Sequence, residues 1–345
     1  MRRRDFITRG ACVAGALATL GVAGCKSGAQ GTAGAPLTAQ SPASAPSPSP
    51  GSTTTPPAAG KLGKHRVFDK PPTRVHAAIA TNKEPAELVK AAVDAYGGPQ
   101  TLLHKGDVVV IKPNLAWGRT PDVGANTRPE ILGAVIKMAQ EAGASRVLVV
   151  EHSCDPSKVT FDLTGAKEVC SSLGVKLLSL DNEAMYEERP IPQGVTIKSE
   201  KIPRDLLECD VYINLPCLKT HGGTVLSVAM KNQMGAIWRP QRYHDATSPA
   251  ARGPNLHQNI ADLATALRPT IVIVDAIAGL VTNGPKGPGD LKDTRAVIVT
   301  HDMVTADTLS AQMLGIKVEK VPHIKLAAEA GAGRMDLDAL KIARV

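Results

Sequence analysis

DVVVIKPNLAWGRTPDVGANTRPEILGAVIKMAQEAGASRVLVVEHS, residues 107–153, contains two apolar runs that flank a helical pattern. DVVVIKP and RVLVVEH are continuous in Val, Ile and Leu, which is typical of strands buried on both faces. RPEILGAVIKMAQEAGA begins with Arg-Pro and reaches a glycine near its end, as helices commonly do. A strand, a helix and a second strand in this order predict two parallel strands joined by a helical crossover.

The same alternation continues along the chain beyond this unit. Further helical patterns are EPAELVKAAVDAYGG, LTGAKEVCSSLG and NLHQNIADLATALRP. Apolar runs that we interpret as strands occupy residues 74–80, 107–113, 146–152, 175–180, 210–216, 270–277 and 294–301. The sequence therefore predicts an α/β fold with a mostly parallel sheet and helices on both faces, a Rossmann-like three-layer sandwich.

The N-terminus has the pattern of an export signal. Arg3 and Arg4 form a twin-arginine pair, and an apolar run of 14 residues, ACVAGALATLGVAG, follows. Such a run is too short for an ordinary membrane span and suits a secretion signal addressed to the Tat export machinery. VAGC, which ends at Cys25, resembles a lipobox, so we expect Cys25 to be lipidated and to anchor the protein to the membrane of the cell envelope. A cleaved signal without lipid and an uncleaved anchor are the alternatives.

Residues 26–60 differ in composition from the rest of the chain. They include seven prolines and almost no large apolar side chains, so they cannot bury enough surface to offset the entropy of ordering. We interpret them as a disordered linker between a signal with lipobox, residues 1–25, and a single α/β domain, residues 61–345. A lipid followed by such a linker would hold the domain outside the cytoplasm, in the periplasm or extracytoplasmic space.

Charge and composition exclude some classes of protein. The formal charge of +8 falls to +5 without residues 1–25, which remove four arginines and one aspartate. The scattered basic residues and the aromatic content of 3% do not favour nucleic-acid binding. The cysteines beyond the lipobox are Cys154, Cys170, Cys209 and Cys217, without a CxxC pair, so an iron–sulfur cluster is not expected. Buried free thiols are the first interpretation, and one disulfide is the alternative.

Polar side chains follow the apolar runs at several strand ends. These residues are Lys112, Asn114, Glu151, His152, Asn214, Lys219, His221, Asp275, His301 and Asp302. The carboxyl ends of parallel strands meet at one edge of a sheet, and ligands bind in the crevice outside that edge. We therefore expect these side chains to converge in one site, although each alone has an ordinary structural explanation.

LPCLKTHGGTVLSVAMKNQMG, residues 215–235, follows one of these strands. Its spacing predicts a helix from about Gly223 on which Thr224, Ser227 and Lys231 share one face. A lysine on a buried face needs a partner, because an unpaired buried ammonium is costly or loses its proton. The partner is either an acidic side chain or an anionic ligand that the helix N-terminus also favours.

Two long segments without periodicity complete the predicted site. Residues 236–256 contain Arg242 and His244 among several donors, and residues 281–293 are rich in Gly and Pro. Long irregular segments in compact domains are commonly lids or binding loops. We expect both to form walls of the same pocket.

The chain also resembles a known family in several motifs. VVVIKPNLAW, LPCLKTHGGTVLSVAMKNQMGAI, RYH and GPKGPG are similar to motifs of domain-of-unknown-function family 362 (DUF362), and the likeness runs from about 73 to 316. The resemblance implies no established activity. Some members carry ferredoxin-type cysteine clusters, which this sequence lacks. By the resemblance, the motif positions are occupied here by Lys112, Asn114, Lys219, His221, Lys231, Asn232, His244, Asp275 and Asp307.

Three functions remain open from the sequence. The first is an enzyme acting on an anionic small molecule, with catalytic roles for His221, Lys231, Asp275 and Glu151 and with Lys112, Asn114, Lys219, Asn232, Arg242 and His244 binding the substrate. The second is a metal-dependent enzyme in which His221, His244, Glu151 or Asp275 ligate a divalent cation, although no HExxH motif supports it. The third is a non-catalytic lipoprotein that binds a solute or a partner.

Overall fold

The secondary structure alternates between strands and helices over most of the chain. The computed structural model describes residues 62–244 and 256–345. The expected export signal, Cys25 and the linker lie outside the described residues. The strands are β1 (Ala77–Thr81), β2 (Val108–Pro113), β3 (Arg146–Glu151), β4 (Lys176–Ser179), β5 (Tyr186–Pro190), β6 (Ser199–Pro203), β7 (Val211–Leu215), β8 (Cys217–His221), β9 (Val225–Ser227), β10 (Ile271–Leu280), β11 (Leu291–Thr300) and β12 (Ile342–Arg344). The helices are α1 (Pro85–Tyr96), α2 (Pro129–Glu141), α3 (Ser157–Leu163), α4 (Ala166–Ser172), α5 (Arg204–Glu208), α6 (Ala229–Asn232), α7 (Leu256–Ala266), α8 (Met303–Leu314) and α9 (Pro322–Glu329).

Ten of these strands form one mixed sheet. Eight of them are ordered β12-β1-β11-β10-β7-β2-β3-β4, and β8 pairs with β10 while β9 pairs with β8. Strands β10, β7, β2, β3 and β4 are parallel to their neighbours in that order. Strand β11 is antiparallel to both β1 and β10, whereas β12 is parallel to β1. The five strands from β10 to β4 therefore present their carboxyl ends at one edge.

The two faces of the sheet are covered by different helices. Successive side chains of a strand point to opposite faces, so Val110 and Ile111 of β2 belong to separate apolar clusters. The cluster with Val110 includes residues of α7, α8 and α9, and the cluster with Ile111 includes residues of α1, α2 and α4. The predicted α/β fold with helices on both faces is confirmed.

Two local predictions about this fold are wrong. The run 294–301 is a strand, but β11 is antiparallel to β10, so His301 lies at the edge opposite the carboxyl ends of the parallel strands. The segment after Gly223 is not a helix at first: β8 and β9 form a hairpin in which Lys219 lies opposite Ser227. Helical structure starts only at Ala229.

The C-terminal segment packs on the domain. Ile324 and Ala327 of α9 are buried in the same apolar cluster as α7, and β12 adds a strand beside β1. In the described parts of the chain, no helix has the length and apolar character needed to cross a membrane.

Candidate functional site

A cavity of about 520 Å³ opens at the carboxyl edge of the parallel strands. Strand ends, the β8–β9 hairpin, helix α6 and the segments around residues 240 and 285 contribute to its wall. Its lining residues include Lys112, Asn114, Trp117, Glu151, His152, Cys154, Lys219, His221, Lys231, Asn232, Gly235, Gln241, His244 and Pro285. Both irregular segments therefore reach the cavity, the first through Gln241 and His244 and the second through Pro285.

The deepest part of the wall holds a buried ion pair. Lys112 Nζ lies 2.9 Å from the Glu151 carboxylate, and both side chains are almost fully buried. Glu151 also accepts hydrogen bonds from the backbone N–H groups of Leu115 (2.7 Å) and His152 (3.0 Å). Burial lowers the pKa of Lys112, and the charge of Glu151 opposes that shift. The acidic partner that we considered for Lys231 is not found there among the described residues; it is Lys112 that has one.

Three asparagines extend this pair across three elements. Asn232 of α6 accepts hydrogen bonds through Oδ1 from Lys112 Nζ (3.1 Å) and from Asn114 Nδ2 (2.9 Å). Its own amide Nδ2 donates to Asn214 Oδ1 at 2.8 Å, and Asn214 donates to the Ala229 carbonyl. The asparagines therefore fix α6 against the ends of β2 and β7.

Lys219 differs from Lys112 because it has no ionic partner in residues 62–244 or 256–345. Its Nζ donates to Asn114 Oδ1 at 2.7 Å and to the Ala125 carbonyl oxygen. A lysine ammonium has three N–H donors, so these two neutral acceptors leave one donor. We call Lys112, Asn114, Glu151, Lys219 and Asn232 the inner network, because their side chains are joined by these hydrogen bonds.

The inner network requires a glycine at position 235. A Cβ atom at Gly235 would lie 2.1 Å from Glu151 Oε1 and 2.6 Å from Lys112 Nζ. The backbone after α6 therefore passes directly over the ion pair, and any side chain there would displace one of the two charges.

Nearer the solvent, Lys231, His221 and His244 form a second group, which we call the outer cluster. Lys231 Nζ lies 3.4 Å from His244 Nε2, and the rings of His221 and His244 are stacked with centroids 5.8 Å apart. No carboxylate in the described residues pairs with Lys231. Burial lowers the pKa of Lys231 to about 8 and the pKa of His244 to about 4.

His221 is held in one neutral form. Its Nδ1 accepts hydrogen bonds from the backbone N–H groups of Gly223 (2.9 Å) and Thr224 (3.2 Å), so its ring proton resides on Nε2. Burial, Lys231 and His244 lower the pKa of His221 to about 3. At neutral pH its Nε2 is therefore a hydrogen-bond donor, and no carboxylate of the described residues orients the ring.

Helix α6 is positioned by a carboxylate from α8. The two oxygens of Asp307 accept the backbone N–H groups of Ala229 (2.6 Å) and Met230 (3.3 Å), the first two residues of the helix. Asp307 thus fixes the helix that carries Lys231 and Asn232 without lining the cavity itself.

Two residues predicted for the site do not line it. Asp275 is buried and accepts the Arg128 backbone N–H at 2.8 Å, and burial raises its pKa. Arg242 forms an ion pair with the buried Glu200 instead of reaching the cavity. The expectation that they converge with the other site residues is wrong, because internal partners hold each of them.

Other cavity residues were not among our candidates for the site. Cys154 has an exposed side chain, so the expectation of buried thiols fails there, whereas Cys170, Cys209 and Cys217 are buried and all four are free. Trp117 lines the cavity and has Lys286 Nζ 5.3 Å from its ring centroid. Trp117 lies just past the end of a strand, a position that signals the site, but we considered only ionisable and amide side chains.

The possible metal ligands are not gathered in the structure. Glu151 is paired with Lys112, Asp275 lies outside the cavity lining, and only His221 and His244 remain together. Across residues 62–244 and 256–345, no group of three or more His, Cys, Asp or Glu side chains is placed to hold a metal ion. The donor set found here does not fit a protein-held metal centre.

Fold and site together define an α/β protein with a lysine-lined cavity at the carboxyl edge of a mixed sheet. The chain belongs to the family described as Domain of unknown function (DUF362), whose model matches residues 109–312. It is similar to the thylakoid-associated protein sll1697 of Synechocystis sp., with 22% identity over 241 residues, which cover 68% of this chain and 71% of that protein.

Two solved structures are also similar to the chain. One is the lactate racemase apoprotein of Thermoanaerobacterium thermosaccharolyticum, with 16% identity and a TM-score of 0.41 over 68% of this chain. The other is a protein of Thermotoga maritima, with 9% identity and a TM-score of 0.32 over 71% of this chain. The chain spans 57% of the length of each.

Proposed function

We propose that the protein is an enzyme that acts on a small anionic molecule in the cavity at the carboxyl edge of the sheet. The observation that carries this proposal is the contrast among three lysines that line one cavity. Lys112 has its own carboxylate, whereas Lys219 and Lys231 have none among the described residues. Burying a cation without a counter-charge is costly, and an anionic ligand removes that cost.

The hydrogen bonds indicate which cavity residues bind the anion. Lys219 is held by Asn114 and the Ala125 carbonyl and lines the cavity without a carboxylate partner among the described residues, so its ammonium suits a carboxylate or phosphate oxygen. His221 adds a neutral donor through Nε2. These two groups bind and orient the anion.

Proton transfer is assigned to Lys231 with His244 beside it. A general acid or base works best when its pKa lies near the working pH, and the pKa of Lys231 is about 8. The pKa of His221 is about 3 and its Nδ1 is already occupied, so the general acid/base role considered for His221 passes to Lys231.

Ligand binding tests the first half of this proposal. Purified protein is titrated calorimetrically with a panel of small carboxylates and phosphates. We expect one class to bind, and Lys219→Met to weaken that binding at least tenfold, because a charge-assisted hydrogen bond contributes about 1.5–3 kcal/mol. Lys90→Met, which removes an exposed lysine paired with Asp94, is the matched control and leaves the affinity unchanged.

Turnover of the bound ligand tests the second half. The ligand is incubated with the wild-type protein and with Lys231→Met, and its chemical change is followed by NMR. Conversion by the wild type alone supports the enzyme. A ligand that binds and never changes indicates the non-catalytic solute-binding alternative, and a panel without any bound anion contradicts the proposal altogether.

We also propose that the protein is exported by the Tat machinery and tethered through lipidated Cys25. The twin-arginine pair, the short apolar run and the VAGC tetrapeptide support this proposal, and the thylakoid association named for the Synechocystis relative agrees with a membrane location. Cell fractionation with labelled fatty acid tests it. We expect label and membrane association in the wild type, no label in Cys25→Ala, and no export of a variant with Arg3→Lys and Arg4→Lys.

A further inference from the structure

We propose that Lys231 is a nucleophile that forms an imine with the carbonyl carbon of a short oxo acid held in the cavity. This inference rests on the proposed function and deepens it, because it names the substrate class and the covalent step. Three observations support the step: the surroundings of the Lys231 amine, a second lysine that can bind the carboxylate, and apolar side chains that line the same cavity.

The amine of Lys231 is unusual among the lysines of the cavity. Lys112 is occupied by Glu151, and Lys219 donates to Asn114 and to the Ala125 carbonyl. The hydrogen-bonding partner of Lys231 Nζ in the described residues is the neutral imidazole of His244, at 3.4 Å. An amine held by a carboxylate stays protonated, whereas an amine beside a neutral ring in a desolvated wall releases its proton more easily. The pKa of Lys231, about 8, agrees with this environment.

Lys219 supplies the recognition that an oxo acid needs. Its ammonium is almost fully buried and keeps one donor for a carboxylate oxygen. Trp117, Met234 and Pro285 add apolar surface to the same cavity, which suits a short carbon chain. A molecule with a carboxylate and an adjacent aldehyde or ketone matches one charged lysine, one nucleophilic lysine and an apolar wall.

The covalent step balances without any further reactant. The lone pair of the neutral Lys231 amine forms a C–N bond to the carbonyl carbon, and the carbonyl oxygen leaves as water with both amine hydrogens. A C=N bond replaces the C=O bond, and uptake of one proton gives the iminium. His244 Nε2, 3.4 Å from Nζ, is placed to accept the proton that the amine loses after attack and to return it to the departing hydroxyl.

Reductive trapping tests the step. The protein is incubated with pyruvate or 2-oxobutyrate and sodium cyanoborohydride, which reduces an iminium to a stable secondary amine, and the modified residue is located by peptide mass spectrometry. We expect one adduct, on Lys231, with an initial rate that rises as the pH passes through about 8. Propionate has the carboxylate and lacks the carbonyl. It should compete with the oxo acid for the cavity, slow adduct formation and form no adduct itself.

Two variants separate the imine from simple binding. Lys231→Arg keeps the charge and cannot form an imine, so we expect it to bind propionate and to lose the adduct. Lys90→Arg, at an exposed lysine, is the control and keeps the Lys231 adduct. Equal labelling of exposed lysines and Lys231 overturns the proposal.

The remaining outcomes distinguish this inference from the proposed function. If the wild type binds carboxylates in a Lys219-dependent manner and gives no adduct, the imine is wrong and the anion site stands. If it neither binds a carboxylate nor gives an adduct, both the imine and the anion site are wrong.

Discussion

The inner network and the outer cluster share one cavity and differ in how their charges are satisfied. In the inner network, Lys112 meets Glu151 at 2.9 Å, and asparagine amides occupy the polar atoms around the pair. In the outer cluster, Lys231 has a neutral imidazole beside it and no carboxylate in the described residues. The Lys112–Glu151 pair is complete without a ligand, whereas Lys219 at the edge of the inner network and Lys231 in the outer cluster leave cationic groups available to one.

The difference separates positioning from chemistry. The inner network joins β2, β3, β8 and α6 through side-chain contacts, so apart from the anion-binding Lys219 its main effect is on the stability and shape of the wall. The outer cluster contains the group whose pKa lies near neutral pH. Substitutions in the two regions should therefore have different consequences, which four experiments examine.

The largest effect is expected from Lys112→Met. The substitution leaves Glu151 buried without its counter-charge, which costs about 3–5 kcal/mol of unfolding free energy. Chemical denaturation followed by circular dichroism measures it. The double variant Lys112→Met with Glu151→Gln should recover part of the loss, because a neutral amide removes the unpaired buried charge and its one oxygen can keep one of the two hydrogen bonds from Leu115 and His152. A single variant as stable as the wild type would show that the pair does not hold the wall together.

Gly235→Ala should be the next most damaging change. Its Cβ would lie 2.1 Å from Glu151 Oε1, so the backbone or the ion pair has to shift, at about 1–3 kcal/mol for an overpacked site. Gly222→Ala is the matched control, since a Cβ there meets no atom within 4 Å. Denaturation curves give the free energies of unfolding of the two variants. Equal stability of both would contradict the close approach of the residue 235 backbone to the ion pair.

The sequence predicted most of the sheet because buried parallel strands are nearly continuous apolar runs. Each of the seven runs became a strand, from β1 at Ala77–Thr81 to β11 at Leu291–Thr300. Strand direction was not predictable, since an apolar run reads the same in either orientation. The antiparallel β11 therefore placed His301 at the wrong edge, where its Nδ1 lies 2.9 Å from the Tyr96 hydroxyl.

The site was predictable only as far as strand ends define it. Lys112, Glu151 and Lys219 lie at one edge because the strands that carry them, β2, β3 and β8, are parallel to neighbouring strands of the sheet. Asp275 was predicted at a strand end, but β10 continues to Leu280, and the Asp275 carboxylate accepts a hydrogen bond from the backbone of Arg128. Competition among internal partners depends on tertiary contacts, and so does the hairpin that replaced the expected helix after Gly223.

The outer cluster should make anion binding depend on pH. Lys231 is charged below about pH 8 and loses its proton above it, so the affinity for a carboxylate should decrease as the pH rises through that value. A bound anion raises the pKa of Lys231 in the complex. The affinity therefore continues to decrease until the pH reaches that higher pKa, by no more than tenfold per pH unit. Isothermal titration calorimetry from pH 6 to pH 10 measures this change in affinity.

A matched variant isolates Lys231 in that experiment. Arginine stays protonated over the whole range, so Lys231→Arg should give an affinity that is nearly constant between pH 7 and pH 9. A wild-type profile that is equally flat would show that Lys231 does not contact the anion. His221 and His244, with pKa values of about 3 and 4, should not titrate in this range.

The smallest expected effect is at Cys154, which borders the outer cluster and reports on whether the cavity is occupied. Its side chain is exposed while Cys170, Cys209 and Cys217 are buried, so of these four it alone should react with a thiol reagent in the native protein. Although the residue is accessible, the surrounding cavity wall desolvates the sulfur and raises the pKa of the thiol, so the reaction should be slow at pH 7 and faster at pH 9. A bound carboxylate should slow it a few-fold by covering the cavity, and Lys219→Met, compared with its own ligand-free rate, should abolish that protection. Protection that persists in Lys219→Met would show that the anion near Cys154 is not held by Lys219 and would contradict the role proposed for that lysine.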